Sequence, residues 1–274
     1  MIETLSLFRP LNQKLIDLLK VIPKADWSKK TVAGAWTVKD VAAHLLDGNV
    51  RAISMYRDHA ELKPDVVINN YSDIVQYLNR LNADWVRAMN RVSPEQLLEQ
   101  LEQTHEPYIQ CLEKLNPFEN AMFSVAWAGE EVSTNWFHIA RELTEKWHHQ
   151  QQIRDALGQQ GILTKQFYKP VLETFMRALP HRYKDIGSAD NTSIKITIES
   201  EAGGTWWLEK KAGQWILLSQ KGDQIPSVTI SIPADLSWKI FTKAVQFENV
   251  RSLITIEGDE NLALPTLKMI TVMA

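Results

Sequence analysis

The sequence contains a single cysteine, Cys111, among 274 residues. That excludes an internal disulfide framework and fits a reducing, cytoplasmic setting. No run approaches the roughly 18 uncharged apolar residues of a membrane-crossing helix, so no span is expected. The opening stretch, MIETLSLFRPLNQKLIDLLK, scatters Glu3, Arg9, Lys14, Asp17 and Lys20 through its apolar positions. It lacks the uninterrupted apolar core of a signal peptide. Excess positive charge is missing as well. The net charge is −3 and the isoelectric point about 6.2, which offers no basic field to nucleic acid or an anionic membrane. Fixed-period repeats and low-complexity segments are absent. What remains is a globular chain, 45% hydrophobic, long enough for one large domain or two of ordinary size. Its expected partner is a small molecule, and its expected assembly a monomer or homodimer.

Two periodicities divide the chain. Up to about residue 160 the apolar residues recur at helical spacing, as in Leu7, Leu11, Leu15, Leu18, Leu19 and Ile22, a run that Pro23 stops. Thr37 with Asp40 reads as a capped start for VKDVAAHLLDGNVRAISMYRD, and Ser72 as the cap of the next helix. Ser93, Pro94 and Gln96 open another, running towards Leu115. A last long helix starts near Thr134 and ends at Gly158. These elements predict an antiparallel four-helix bundle over 1–160. After the linker LGQQGILT, residues 164–274 read as a helix and then the alternating runs SIKITIES, TWWLEK, QWILLSQ and SVTISI. A helix from Ala234, the short strand SLITIEGD and a final helix ENLALPTLKMITVMA complete the pattern. The fold class expected is α plus α+β, the second part being a smaller unit with an antiparallel sheet.

The last helix of the first half, NWFHIARELTEKWHHQQQIRDALG, carries an unusual number of coordinating side chains. A solvated polar face would account for it, and so would half of a metal site. Glu145 and His149 stand one turn apart on one face, the i, i+4 geometry that lets two side chains share an ion. His138 and Arg141 fall near that face, and His148 points about 60° to the other side. Two ligands do not hold a zinc-class ion tightly, so a third is expected from another helix. Of His44, His59, His105 and His181, His44 is the best candidate, because Val41, Ala42, Ala43, Leu45 and Leu46 surround it in sequence. The other three lie in polar contexts and read as surface residues. Tryptophans 206, 207 and 215 read as cross-strand packing, and Cys111 as a buried structural residue.

GAWTVKDVAAHL resembles the motif that opens the second helix of the DinB/YfiT-like superfamily of metal-binding four-helix bundles. RELTEKWHHQQQIRDALG is similar to the R-x3-E-x3-H signature of the branch containing mycothiol-dependent maleylpyruvate isomerase. The second half resembles that branch's sterol-carrier-like C-terminal domain, and IEGDENLALPTLKMI is similar to its ending. The resemblance implies a divalent metal held by His44, Glu145 and His149: zinc first, with nickel, iron(II) or manganese as alternatives. It also implies a low-molecular-weight thiol as cosubstrate. His138 competes as a ligand, since many members of the superfamily carry three histidines. Where the branch often shows an aspartate three residues after the last ligand, this chain has Gln152.

Three functions stay open at this point. A metal-dependent, thiol-using transferase or isomerase would act on a small electrophile, with Arg141 either pairing with a substrate carboxylate or serving as a structural partner of Glu142 or Asp155. A metal-dependent hydrolase would need a general base, for which Glu142 is the obvious choice. A non-enzymatic binder would hold an apolar ligand in the second half.

Overall fold

The computed structural model describes residues 1–61, 63–220 and 225–273. The helical half contains α1 (Phe8–Val21), α2 (Val38–Tyr56), α3 (Tyr71–Met89), α4 (Pro94–Glu113) and α5 (Asn135–Leu157). Helix α2 begins in a complete capping box: the Thr37 side chain accepts from the Asp40 N–H while the Asp40 carboxylate accepts from the Thr37 N–H. From there Val38, Val41, Ala42, Leu45, Leu46 and Ile53 bury one stripe of the helix. At α4 the Ser93 side chain receives the Gln96 N–H, but the Gln96 side chain turns to Glu99 instead of closing the box. The cap of α3 is Asn70 and not Ser72, because Asn70 accepts from the Asp73 N–H and Asp73 in turn accepts from the Asn69 N–H. Gly158 ends α5 in the left-handed region (φ 64°), where a side chain would be strained.

The second half holds α6 (Lys165–Met176), α7 (Leu179–Tyr183), β1 (Ser193–Glu199), β2 (Gly204–Lys211), β3 (Gln214–Leu218), β4 (Val228–Pro233), α8 (Ala234–Phe241), β5 (Thr255–Gly258) and α9 (Glu260–Leu267). The sheet order is β3-β2-β1-β4-β5. Its pairings are antiparallel as expected, with one addition: β1 and β4 lie parallel at its centre, Ile194 opposite Val228 and Ile198 opposite Ile232. Ile194, Ile196, Ile198, Val228, Ile230 and Ile232 are all buried. The final helix is shorter than its sequence suggests. It ends at Leu267, and Thr271 instead bonds the Phe241 carbonyl through both its N–H and its hydroxyl; the expected end of that helix, Ala274, lies outside the described residues.

The apolar core runs across both halves. Phe8, Leu11, Tyr108, Phe137 and Trp147 of the helices join Tyr168, Phe175, Ile196, Trp238 and Phe241 in one cluster, while Leu15, Leu19, Val41, Leu46, Leu101 and Ile153 form a second. Trp147 is the junction. Its ring stacks on Tyr168 at 4.7 Å, meets Trp238 edge-on at 6.4 Å, and its indole N–H donates to the Ile162 carbonyl at 3.0 Å. Trp147→Ala is therefore expected to destabilise the protein by about 3–5 kcal/mol, read as a lowered urea midpoint. An unchanged midpoint would show that the junction contributes little to holding the halves together.

Candidate metal centre

Helix α5 is buried on almost every side, although many of the buried side chains are polar: His138, Lys146, His148, His149, Gln150, Gln151, Gln152 and Arg154. Such groups are tolerated in a low-dielectric interior only when partners meet them. The partners define the site. Helix α2 lays His44 against α5 so that its ring meets the His149 ring edge-on, centroids 4.6 Å apart. His149 Nε2 lies 3.6 Å from Glu145 Oε2. His44 and Glu145 thus each neighbour His149.

The remaining ring nitrogens show how these side chains are aimed. His149 Nδ1 lies 2.9 Å from Gln152 Oε1. An amide oxygen only accepts, so Nδ1 carries a proton there. Gln152, at the position where an aspartate is often expected, thereby holds the His149 ring with a neutral group. His44 Nδ1 is buried with no hydrogen-bond partner, and when it bears the lone pair it is an orphan acceptor that a cation would satisfy. Trp36 closes over the His44 ring at 5.1 Å. Among the described residues the set whose ligand atoms all lie within 4.8 Å of one another is Glu145, His148 and His149, so His148, and not His44, is grouped with that pair. Its Nδ1 faces the Thr144 carbonyl at 3.0 Å, so it donates there and leaves Nε2 as its open nitrogen.

The two other candidates on this stripe are committed elsewhere. Arg141 Nη2 bonds His138 Nδ1 at 2.6 Å and Glu142 Oε1 at 2.8 Å, and the side chain is 12% exposed. Because an arginine only donates, His138 accepts at Nδ1 and donates from Nε2 to the Tyr56 hydroxyl oxygen at 2.9 Å. Both of its ring nitrogens are occupied. Glu142 Oε2 receives the Tyr108 hydroxyl at 3.0 Å, so both carboxylate oxygens are engaged and the general base foreseen for a hydrolase is tied into the bundle. Asp155 pairs not with Arg141 but with Lys239 of α8, at 2.7 Å.

The electrostatics suit ion binding. Burial and the neighbouring His149 charge hold His44 well below the usual histidine value, Glu145 opposing. Burial brings His148 down to about 3. Burial would raise Glu145, but the hydrogen bond to His149 and the charges of His148, His149 and Arg141 outweigh it and bring it down to about 2. Neutral His44 and His148 beside an ionised Glu145 are in the protonation state that a divalent cation requires of its ligands. One neighbour was not legible beforehand. His105, expected on the surface, is half-buried, and burial plus the Lys146 charge take it down to about 3. Lys146 itself donates to the Leu45 carbonyl at 2.9 Å and to Asn49 Oδ1 at 2.6 Å, under the Tyr108 ring. A groove of about 430 Å³, lined by Lys195, Thr205, Trp207, Leu218, Ser219 and Gln220, belongs to the sheet and takes no residue from α2 or α5. The side-chain cluster, not that groove, marks the site.

A helical bundle with a histidine–carboxylate cluster between two of its helices, continued by an α+β unit, is the class that fold and site define. Solved structures share the fold. The chain aligns with a point mutant of the mycothiol-dependent maleylpyruvate isomerase at 9% identity, over 92% of this chain and 91% of that one, with a TM-score of 0.56. It aligns with the unmutated isomerase at 11% identity, over 86% of each chain, with a TM-score of 0.53. Sterol Carrier Protein 2 Like 2 from Aedes aegypti aligns at 18% identity over 36% of this chain and 95% of its own; its TM-score of 0.27 is too low to define a fold. No curated protein sequence matches the chain. The sequence matches the family described as the mycothiol maleylpyruvate isomerase N-terminal domain over residues 8–154, more than half its length, and the chain belongs to that family.

The buried histidines make a pH prediction. His138 is brought down by burial to about 4, whereas in the unfolded chain it takes up its proton near pH 6.5. Between those values the unfolded state binds more protons, so stability falls as the pH drops from about 6.5 towards about 4. Urea midpoints of metal-free protein at several pH values within that window should decline, and His138→Gln should flatten part of the slope. A slope unaltered by the substitution would place the titration elsewhere.

Proposed function

We propose that this protein is a metal-dependent enzyme that uses a low-molecular-weight thiol to isomerise, or to receive, a small electrophilic substrate. The observation that carries the reading is the His44 ring of α2 set against His149 of α5, which itself stands beside Glu145, with His44 Nδ1 buried and unpartnered. Two imidazoles and one carboxylate are a donor set suited to zinc, with nickel, iron(II) or manganese as alternatives, and leave room for a further ligand. What a divalent ion supplies in such a centre is a lowered pKa for a bound thiol, as for bound water.

The protein's own residues supply the rest. Gln152 fixes the His149 ring, and the Thr144 carbonyl fixes His148. Trp36 and the apolar flank of α2 restrict water beside His44. A thiolate adding to a conjugated double bond turns it into a single bond. Rotation about that bond and elimination of the same thiolate return the trans isomer, with no net change in atoms or electrons. Where the electrophile carries a leaving group, the same attack ends in transfer to sulfur. Family membership supports the thiol, and the similarity to the solved mycothiol-dependent maleylpyruvate isomerase supports isomerisation of a maleyl-type substrate. The reading assigns the ion to a helical unit, residues 1–160, and leaves residues 164–274 as the unit that covers its flank. It places the protein in the cytoplasm.

Elemental analysis of purified protein should find close to one metal per chain, and His44→Ala or His149→Ala should remove most of it. Full metal content in both variants would refute the ligand set. Gln152→Leu should weaken metal binding by about 10–100-fold while Gln152→Asp restores it. A cobalt-substituted sample should change its visible spectrum as small thiols are titrated in. Metal without any thiol response would refute the thiol-using reading.

A further inference from the structure

We infer that the second half carries a binding site of its own, in which the groove on the outer face of its sheet takes a small aromatic carboxylate. The inference goes beyond the proposed function and does not rest on it, since none of the groove's residues lies on α2 or α5. The sheet has two unlike faces. Ile194, Ile196, Trp206 and Leu208 turn into the core, so the alternation of a strand turns Lys195, Thr205 and Trp207 outward. Leu218, the register partner of Trp207, shares that face. An indole on an otherwise polar face would be well exposed if the face were flat. Trp207 is only 6% exposed, whereas Ile216, two residues before Leu218 on the same side, is 42% exposed. Trp207 is thus a wall of a recess, the groove of about 430 Å³. That volume falls among those of small-molecule sites, roughly 300–1,000 Å³.

Register arranges the lining as a row. Lys195 lies opposite Trp207, and Trp207 opposite Leu218. With neighbouring strands about 4.8 Å apart, a cationic, an aromatic and an aliphatic side chain stand side by side across roughly 10 Å. The other strand lysines are engaged, Lys211 with Glu209 at 3.4 Å and Lys210 over the Trp215 ring at 5.4 Å. Among the described residues Lys195 has neither a carboxylate within ion-pair distance nor a hydrogen-bond partner. Its charge is the one on this face left for a ligand. The Thr205 hydroxyl, 3.2 Å from that of Thr197, adds a polar group beside Trp207, and Ser219 and Gln220 add more beyond Leu218. The occupant that matches this order has a carboxylate at Lys195, a flat ring against the indole, and room for polar substituents towards Ser219. One lysine without an arginine fork answers a single negative charge better than a phosphate. Trp207 and Leu218 cover one ring and not an acyl chain, so a lipid does not fit the lining.

Calorimetric titration of benzoate into the metal-loaded full chain tests this. Benzamide serves as the uncharged analogue, and cyclohexanecarboxylate as the charged one without a flat face. Benzoate should saturate the protein and bind tighter than either analogue by about fivefold or more. Lys195→Gln should bring benzoate down to the level of benzamide, and Trp207→Leu should bring it down to that of cyclohexanecarboxylate. Lys195→Gln, a partly exposed polar exchange, carries the test if the tryptophan variant does not fold. Lys211→Gln, on the same face but outside the groove, should change benzoate affinity by less than about twofold. A carboxylate can also ligate a metal, so the titration is repeated on metal-free protein, where benzoate affinity should be unchanged. Binding that disappears with the metal and is indifferent to Lys195→Gln places benzoate at the metal centre and overturns the inference. So does a failure to saturate below about 10 mM, or benzoate affinity within about twofold of wild type in both groove variants. Benzamide binding as tightly as benzoate to wild-type protein overturns it as well.

Discussion

Everything in the site depends on one constraint, the burial of a polar helix. Helix α5 is surrounded by other elements, yet it carries histidines, glutamines, a lysine and an arginine in its interior-facing turns. Each of these would cost roughly 1–3 kcal/mol or more if left unmet. The neighbouring helices are arranged to meet them. Asn49 and the Leu45 carbonyl of α2 take Lys146, Tyr56 of α2 takes His138, and Tyr108 of α4 takes Glu142. Gly48 permits the approach, since a Cβ there would stand 3.3 Å from the Lys146 ammonium. The register of α2 on α5 is fixed by these bonds as much as by apolar contact, and that register is what brings His44 to His149.

The same helix joins the two halves. One side of α5 presents Glu145 and His149 to α2, while Trp147, between them in sequence, points into the aromatic junction with Tyr168 and Trp238. At 100° per residue these directions differ by about 160–200°. The ion pair of Asp155 with Lys239 ties the end of α5 to α8 on the same flank. Site geometry and the seating of the second half therefore share one rigid element, with His149 and Trp147 only two residues apart. Tryptophan stacked at 4.7 Å and 10° on tyrosine leaves α5 little freedom to rotate.

Much of this was legible in the sequence, where the signal was local. The Thr37–Asp40 box, the Gly158 stop and the i, i+4 spacing of Glu145 and His149 are read from a few consecutive residues, and the fold keeps them. Asn70 displaced Ser72 because two polar residues near one helix start compete, and the winner is decided by the Asn69 and Asp73 bonds that only the folded loop makes. The parallel β1–β4 pairing carries no mark in either strand, since both read as apolar on one face whichever neighbour they take. His105 looked like a surface residue because its sequence neighbours are polar, but the fold half-buries it and brings the charge of Lys146, far along the chain, to bear on it.

The continuous core also bears on synthesis. The bundle's last helix is complete at Leu157, but β1 cannot find its central partner until β4, ending at Pro233, has left the ribosome. Over that interval Trp147 lacks the Trp238 ring against which the finished protein packs it. A nascent chain of this design passes through a stage in which its helical half is formed and sticky, a candidate for chaperone binding. The two halves are thus poor subjects for separation or exchange, however distinct their sequence grammar, because each completes the other's interior.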